Sequence, residues 1–330
     1  MPQIKCRPMP DHFSRRRLLQ LLGAGGVLVA AQPALAQTLG QTTWPIKGAD
    51  HHPLRIAFYT DVHANQRGDT PTALQRAADA INRQRPDLVL GAGDLVTGNF
   101  SSSAGDVRAD WDAYMDMHKA IQASVRGDHH VAIGNHDLYG VTPNDGSLPA
   151  PDPRSIFKQR LDLRQTFYAF DALGYHIMML DSVGISGDKF EYHGRISPAQ
   201  LDWIRAELSR IPRGKPVILT LHLPLLTAFF GAKDGMAKGA PLNRIVVNNR
   251  EVLSLFADHN LVLVLQGHLH ISELLRWRGT TFITGGAICG NWWRGAYYGT
   301  GEGYNMITLH PDRVEWAYHD YGWHAPPAAK

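Results

Sequence analysis

The sequence predicts an α/β protein, a four-layer α/β/β/α sandwich in which two mixed sheets pack between outer layers of helices. Apolar runs of strand length occur in both halves of the chain, with helical segments between them. Several of these runs end in short polar motifs rich in Asp, Asn and His. Because ligands of α/β sheets gather beyond the carboxyl ends of the strands, these motifs mark the expected functional edge.

The first half of the predicted domain alternates strand and helix. Two segments carry apolar residues at helical spacing, and three are continuous apolar runs. This βαβαβ order predicts parallel strands joined by right-handed crossovers. The predicted elements are a strand at 54–59, a helix at 72–84, a strand at 87–90, a helix at 111–125 and a strand at 130–133.

The second half is richer in strands. Ser197, Pro198 and Gln200 have the pattern of a capping box with a first-turn proline, which predicts a helix that continues to about Arg210. A loop is expected at 138–153, and 225–250 forms an insertion without a clear pattern. Strands are predicted as a pair within 168–181 around Leu173-Gly174, and at 216–221, 261–265, 274–277, 281–283, 304–309 and 314–318.

The first 36 residues have the features of an export signal. Ser14-Arg15-Arg16-Arg17 precedes a mildly apolar stretch, and Ala34-Leu35-Ala36 offers a cleavage site. The paired arginines resemble a twin-arginine signal, so the predicted partner is that export machinery and the predicted location is periplasmic. Glycines and a proline interrupt the stretch, which disfavours a transmembrane span, although an uncleaved signal stays open. We therefore predict a signal at 1–36, a linker at 37–53 and one folded domain at 54–330.

Charge and cysteine content narrow the possible partners. The chain of 330 residues has a net charge of +3, but the signal holds five basic residues and one acidic residue. The remaining 294 residues therefore carry a net charge near −1. This gives no support for binding to nucleic acid or to an anionic membrane. Of the two cysteines, Cys6 lies in the signal, so Cys289 has no partner for an internal disulfide.

Five motifs follow one another in order, each at the end of an apolar run. Their Asp, His and Asn side chains are ligands that Mn, Fe and Zn accept. A single motif would be weak, whereas the ordered set is hard to produce by chance. The motifs are Asp61-Val62-His63, Gly93-Asp94, Gly134-Asn135-His136-Asp137, His222 in Leu221-His222-Leu223-Pro224, and Gly267-His268-Leu269-His270.

The motif set resembles the calcineurin-like metallophosphoesterase family across nearly all of residues 54–330, which would then be its catalytic domain. The resemblance implies a two-metal phosphoester hydrolase with two divalent ions, Mn, Fe or Zn. It implies that Asp61, His63, Asp94 and His270 bind the first metal. It also implies that Asp94, Asn135, His222 and His268 bind the second.

The residue types are consistent with that chemistry. Asp94 has two carboxylate oxygens and can hold both metals, while Asn135 and neutral imidazoles keep the site positive toward a phosphate anion. A water between the two cations is acidified and becomes the in-line nucleophile, a metal-bridging hydroxide. The resemblance makes His136 a general acid or a donor to a phosphoryl oxygen, with Asp137 orienting its imidazole. The alternative for His136 is a purely structural contact.

Several further residues are candidates for the substrate pocket. Trp292, Trp293 and Arg294 lie in a glycine-flanked loop and could wall the pocket, with Arg294 reaching a phosphate, or they could pack in the core. Phe229-Phe230 with Lys233 and Lys238 could form a mobile lid or a packed insertion. Adjacent histidines at 129–130 are weak candidates for the rim of the site.

Departures from sister branches leave two enzyme types open. Thr97 occupies the position where purple acid phosphatases carry a tyrosine ligand, and the segment after Asp94 lacks the arginine of protein phosphatases. We expect an exported phosphatase or phosphodiesterase acting on a small or lipid-linked phosphoester, and no nucleic acid substrate. The alternative from another class is a non-catalytic periplasmic binding protein on the same fold, which would be marked by a lost ligand.

Overall fold

The computed structural model describes residues 42–43 and 53–325. The predicted signal at 1–36 lies outside the described residues, as do 326–330 and almost all of the predicted linker at 37–53. Within that linker, Thr42–Thr43 forms a two-residue strand that pairs antiparallel with residues 313–314 of the last strand. In the described chain, no helix is long and apolar enough to cross a membrane.

The first sheet is mixed and has six strands in the described chain. In spatial order the strands are β1 (Thr42–Thr43), β14 (Arg313–Asp320), β13 (Gly303–Leu309), β2 (Leu54–Tyr59), β3 (Leu88–Ala92) and β4 (His129–Ala132). β2, β3 and β4 run parallel to each other, as the βαβαβ pattern predicts, while β13 pairs antiparallel with both β2 and β14.

The second sheet is also mixed and six-stranded in the described residues. Its four inner strands are parallel, and an antiparallel strand closes each edge. In spatial order they are β11 (Glu273–Trp277), β12 (Thr280–Thr284), β10 (Asn260–Gln266), β9 (Pro216–Thr220), β6 (Tyr175–Met179) and β5 (Tyr168–Ala172). The hairpin of β7 (Val183–Ile185) and β8 (Tyr192–Gly194) lies outside both sheets.

Alternating side chains of the strands build the layers. Ile56 and Phe58 join a buried cluster with side chains of the second sheet such as Ile218, so the two sheets face each other. The neighbours Ala57 and Tyr59 point the other way, into the cluster that contains the helices. The predicted four-layer α/β/β/α sandwich is therefore confirmed. Its helices are α1 (Thr70–Arg83), α2 (Arg108–Gln122), α3 (Ser155–Arg160), α4 (Pro198–Arg210), α5 (Phe229–Asp234) and α6 (Asn249–Leu255).

The predicted capping box at the start of α4 is only half formed. The Ser197 hydroxyl accepts the Gln200 N–H, as a cap should. The Gln200 side chain, however, bonds with both backbone groups of Asp181 and not with the backbone of Ser197. Tertiary contacts thus outcompete the local partner. The helix still starts at the predicted residue, because Pro198 and the Ser197 cap suffice.

The insertion at 225–250 packs against the site and holds α5 and the start of α6. Phe230 is buried and forms a small cluster with Leu269 and Ile271, next to Phe229 and Ile245. The contacts are those of the packed alternative, and the mobile lid stays a prediction. The predicted loop at 138–153 contains no helix or strand.

Candidate metal centre

The predicted ligands lie just beyond the carboxyl ends of parallel strands. The segments that follow β2 and β3 remain hydrogen-bonded to each other. The Asp61 N–H donates to the Gly93 carbonyl (3.0 Å), and the His63 N–H donates to the Asp94 carbonyl (2.9 Å). The loops after β4, β9 and β10 bring the remaining ligands to the same place. These backbone hydrogen bonds fix the positions from which the Asp61 and Asp94 side chains extend.

The backbone at the site is strained. Five of the seven predicted ligands have φ between +45° and +71°, which costs a non-glycine residue about 1–2 kcal/mol. The five are Asp61, His63, Asp94, His268 and His270. Motif glycines allow the loops to approach: a Cβ at Gly267 would stand 2.0 Å from the Thr60 hydroxyl oxygen. Strain of this kind concentrates at functional sites.

One group of four side-chain atoms converges at the end of β2. His63 Nε2 lies 3.3 Å from His270 Nε2, 3.6 Å from Asp94 Oδ2 and 4.0 Å from Asp61 Oδ1. His270 Nε2 lies 3.2 Å from Asp61 Oδ1. The other oxygen of Asp61 accepts bonds from the Thr60 hydroxyl (2.7 Å) and the His268 N–H (2.9 Å). Oδ1 is thereby left buried without a hydrogen-bond partner.

A second group of four converges beside the first. His222 Nε2 lies 3.1 Å from each of three atoms: Asp94 Oδ2, Asn135 Oδ1 and His268 Nδ1. All these side chains are buried. Asp94 Oδ2 belongs to both groups, whereas Asp94 Oδ1 accepts the His136 N–H (2.8 Å). The two groups are therefore joined through one oxygen, not through both oxygens as the sequence argument assumed.

Backbone carbonyls set the tautomers of three histidines. His222 Nδ1 lies 2.7 Å from the Ala92 carbonyl, His270 Nδ1 2.6 Å from the Gly290 carbonyl, and His268 Nε2 3.0 Å from the Asn243 carbonyl. A carbonyl only accepts, so each of these outer nitrogens carries the proton. The inner nitrogen of each ring is then the one that offers a lone pair, which is how proteins orient metal-binding histidines.

The electrostatics of the groups favour bound cations. Burial opposes protonation of His222, but the Asp94 carboxylate outweighs it and raises the pKa of His222 to about 9. Burial likewise opposes ionisation of Asp94, yet His222 and His136 hold its pKa well below the usual range. For His63, burial and then the nearby His136 lower the pKa. The ionised Asp94 carboxylate thus attracts positive charge, which is either the proton on His222 or a metal cation in its place.

These residues fit a pair of divalent ions. Asp61 Oδ1 is an orphaned buried acceptor, and three imidazoles are oriented with lone pairs inward. Four oxygen and nitrogen donors in each group match the ligands that Mn, Fe and Zn take. All seven predicted ligands are therefore brought together in the arrangement that the resemblance implied, with Asp94 between the two groups.

His136 stands at the edge of the first group. One of its ring nitrogens lies within 4.8 Å of ligand atoms of His63 and Asp94. Its Nδ1 donates to the Gly98 carbonyl at 2.5 Å, which leaves Nε2 for the site. The ring is half-buried and lines a cavity that is also lined by four of the predicted ligands, Asp94, Asn135, His268 and His270.

The predicted role of Asp137 is wrong. Its carboxylate does not contact the His136 ring, which is oriented by Gly98. Instead, Oδ1 accepts the N–H groups of Leu95 (2.7 Å) and Val96 (3.3 Å), and Oδ2 accepts the N–H of Gly134 (2.8 Å). The chain turns through a 3₁₀ helix at Asn135–Asp137, so neighbours in sequence point in different directions. Asp137 ties the loops after β3 and β4 together.

The two tryptophans of the glycine-flanked loop have different roles: one lines the pocket and the other packs in the core. Trp292 lies over the site with its ring centroid 3.8 Å from that of His63 and 4.8 Å from that of His136. Trp293 packs against Trp323 behind the site, and its N–H donates to the His63 carbonyl (3.0 Å). Trp292 therefore walls the cavity, and Trp293 is a packing residue.

Arg294 does not line the cavity, contrary to the prediction; Arg244 does. Arg244 Nη1 lies 3.4 Å from His268 Nε2. The sequence offered no signal for Arg244, because the insertion that carries it has no periodic pattern. Other wall residues that the motifs did not indicate are Tyr192, Asn291 and Tyr297.

The adjacent histidines of β4 are not at the rim of the site. They begin β4, at the end of the strand opposite to the ligands. His129 is buried and bonds with the Tyr59 hydroxyl (2.7 Å), and His130 stacks on Phe170 with centroids 3.7 Å apart. Their role is structural.

A sequence model of the calcineurin-like phosphoesterase family matches residues 54–272. The chain belongs to this family, and the predicted class of enzyme, a metal-dependent phosphoester hydrolase, is confirmed at the level of the family. Strands β11, β12, β13 and β14, which follow the matched residues, belong to the two sheets.

Curated relatives come from two branches. Over 265 residues, 73% of this chain and 52% of the relative, the chain is 24% identical to purple acid phosphatase 23 of Arabidopsis thaliana. Over 247 residues, 71% of this chain and 70% of the relative, it is 23% identical to a probable cyclic nucleotide phosphodiesterase of Rhodococcus erythropolis. The chain thus spans about half the length of the first relative.

A solved structure shows the same fold. A dimetal phosphatase from Danio rerio superposes with a TM-score of 0.51 at 16% identity. The match covers 82% of this chain and 99% of that chain. At this identity the likeness shows the fold alone.

Proposed function

We propose that this protein is an exported phosphatase or phosphodiesterase that hydrolyses a small or lipid-linked phosphoester at a two-metal centre. The observation that carries the proposal is Asp94 Oδ2, which lies within 3.6 Å of His63 Nε2 and within 3.1 Å of His222 Nε2. A single oxygen shared by two donor groups is the arrangement that two adjacent cations require.

Each residue then has a task. Asp61, His63 and His270 would hold one ion with Asp94, while Asn135, His222 and His268 would hold the other. Bound there, the two ions supply positive charge to the phosphoryl oxygens and lower the pKa of water. The ions are Mn, Fe or Zn, which all accept this mixture of carboxylate, amide and imidazole ligands.

His136 would donate a proton to the leaving oxygen. Its Nδ1–H is committed to the Gly98 carbonyl, so Nε2 is the position from which a proton can move. Trp292 lies against the His63 ring and makes an edge contact with His136, which restricts how the His136 ring can turn. A general acid held in this way contributes about 10²–10⁴ in rate.

The test is turnover by purified protein of defined metal content. We expect release of 4-nitrophenolate from 4-nitrophenyl phosphate or bis(4-nitrophenyl) phosphate after loading with Mn²⁺, and none after chelation. The preferred chromogen separates phosphatase from phosphodiesterase. Two bound metals without turnover of either compound would refute the hydrolase proposal. That result would favour the non-catalytic binding protein, although all seven ligand positions are filled by competent residues.

We also propose that residues 1–36 direct export through the twin-arginine route, with 37–53 as a linker and 54–330 as the catalytic domain. The support is the sequence Ser14-Arg15-Arg16-Arg17 followed by Ala34-Leu35-Ala36. Changing Arg15 and Arg16 to Lys should abolish periplasmic accumulation, measured by cell fractionation and blotting. Normal accumulation of the double variant would contradict the proposed route.

A further inference from the structure

The cavity beside the metal centre extends well past the ligands. It has a volume of about 470 Å³, which is in the range of pockets that hold whole small molecules. A phosphoryl group fills only a part of such a space. The remaining wall is built by the insertion at 225–250 and by the loop around Trp292. This wall therefore contacts the part of the substrate that is not phosphate.

Part of that wall is aromatic. Trp292, Phe229 and Tyr297 all line the cavity, and Trp292 is 36% exposed although its ring lies against that of His63. Trp292 has φ of +55° and the following Trp293 has φ of +63°. Two successive tryptophans in the left-handed region are costly, so the fold keeps the Trp292 indole over the metal ligands against a local preference.

The wall also carries positive charge. Outside the metal centre its charged side chains are Lys233, Lys238, Arg244 and Asp234, an excess of two positive charges. Lys233 pairs with Asp234 at 2.9 Å. Among the residues that the structure describes, no carboxylate lies within ion-pair distance of Arg244 or Lys238. Arg244 stands next to the centre, with Nη1 3.4 Å from His268 Nε2.

We propose that the substrate is a phosphoester whose leaving group carries a planar ring and a second anionic group. The ring would lie against Trp292, and the second anion, a carboxylate or a phosphate, would bind Arg244 and Lys238. This inference rests on the proposed function, because the scissile phosphoryl group is assigned to the metal centre. Arginine and lysine that lack a protein partner bind such anions through charge-assisted hydrogen bonds.

Four matched substrates test the two features separately. Benzyl phosphate and cyclohexylmethyl phosphate differ in ring planarity, while the methylene group keeps the leaving oxygens chemically similar. The compounds 4-carboxybenzyl phosphate and 1,4-bis(phosphonooxymethyl)benzene add a carboxylate and a phosphate, respectively. Each is assayed as a monoester and as a methyl diester on the Mn²⁺-loaded full chain. We expect kcat/KM to rise about tenfold for the planar ring and about tenfold again for either anion.

Variants locate each preference. Arg244→Ala should lower the ratio of kcat/KM for 4-carboxybenzyl over benzyl phosphate about tenfold. Trp292→Leu should remove the preference for benzyl over cyclohexylmethyl phosphate, and Trp292→Phe should restore part of it. The matched controls are Arg250→Ala and Trp277→Ala, exposed residues that line a separate cavity. Both controls should leave the ratios unchanged, and elemental analysis should show equal metal content in all variants.

Two results would overturn the inference. One is a wild-type protein that turns over benzyl phosphate as fast as its charged and non-planar analogues. The other is an Arg244→Ala variant that loses the same factor on every substrate, since Arg244 would then serve the centre in general. If no phosphoester is turned over, the proposed function fails. The inference is then tested by calorimetric measurement of the affinities for 4-(phosphonomethyl)benzoate and benzylphosphonate. It requires that the wild type binds the benzoate more tightly and that Arg244→Ala loses this difference in affinity.

Discussion

Asp137 offers the sharpest test of how the loops around the centre are held. Its carboxylate accepts three buried N–H groups, from Leu95, Val96 and Gly134. Asp137→Ala leaves all three donors without a partner, and each costs about 1–2 kcal/mol. Burial, and then repulsion by Asp94, raises the pKa of Asp137 to about 8, so removing the carboxylate also relieves an unfavourable buried charge. We therefore expect a net loss of about 3–5 kcal/mol in the free energy of unfolding.

The assay is urea unfolding of chelated protein, followed by circular dichroism. Asp137→Asn is an intermediate variant, because it keeps an oxygen for Leu95 and Val96 but sets an amide NH₂ opposite the Gly134 N–H. It should lose about 1–3 kcal/mol. The control is Asp202→Ala, whose side chain is 77% exposed in a surface ion pair with Arg205. That variant should stay within about 0.5 kcal/mol of the wild type.

Measurements of turnover distinguish the structural role of Asp137, which ties two loops together, from its predicted role of orienting the His136 ring. If Asp137 acts by tying the loops, any loss of kcat in the variants should follow their loss of metal and of folded protein. An Asp137→Ala variant as stable as the wild type, with full metal but with kcat lowered 100-fold or more, would refute the reasoning. That result would support the role predicted from the sequence, in which Asp137 orients the His136 imidazole.

Three further predictions concern the centre itself. Asp94→Ala should lose both metals, because its Oδ2 belongs to both donor groups; elemental analysis showing two retained ions would contradict the shared oxygen. His136→Ala should keep both metals and lower kcat by about 10² or more, and unchanged kcat would remove His136 from the reaction. Because the pKa of His222 is raised to about 9, a metal must displace its proton below that pH. The apparent affinity for Mn²⁺ should therefore fall as the pH falls from 9 to 6, by up to about tenfold per unit, with calorimetric proton release; a flat profile would exclude this coupling.

Much of the fold is readable from hydrophobic pattern. The strands that build the two sheets are apolar runs bounded by polar or turn residues, and the structure places them within a few residues of the predicted limits. The elements missed are short: β1, β7, β8, α3, α5 and α6 have at most seven residues each. Segments of this length carry too few residues for a period to show, and tertiary contacts hold them in place.

The metal ligands could be predicted from the sequence, whereas several residues of the pocket wall, such as Arg244, could not. A strand that ends in a motif delivers its polar side chains to the carboxyl edge of the sheet, so pattern and topology together locate Asp94 and His222. Arg244 follows no strand, and tertiary contacts bring its segment to the cavity: the Asn243 carbonyl accepts the His268 Nε2–H, and Ile245 packs on the cluster of Phe230, Leu269 and Ile271. Asp137 was misassigned because adjacency to His136 says nothing about where a side chain points once the chain enters a 3₁₀ turn.

The strained backbone of the ligands gives a final prediction about stability. Five ligands in the left-handed region together cost about 5–10 kcal/mol, comparable to the whole stability of a typical domain. Buried hydrogen bonds between the loops offset part of this cost, and bound metal should offset more, because the unfolded chain has no such site. With Mn²⁺ at 100 times its dissociation constant, each site adds about 2.7 kcal/mol.

At the size of this domain each kcal/mol raises Tm by about 2–4 °C, so two filled sites should raise it by about 10–20 °C. The measurement is a thermal unfolding scan with and without Mn²⁺. Asn135→Ala tests whether the sites act independently. It removes a ligand of the second group alone, so it should keep roughly half of the rise, whereas Asp94→Ala should abolish it. If Mn²⁺ raised the Tm of wild type and of Asp94→Ala equally, the ion would stabilise the fold at another place. The Asp94 carboxylate would then not be a ligand shared by the two metal sites.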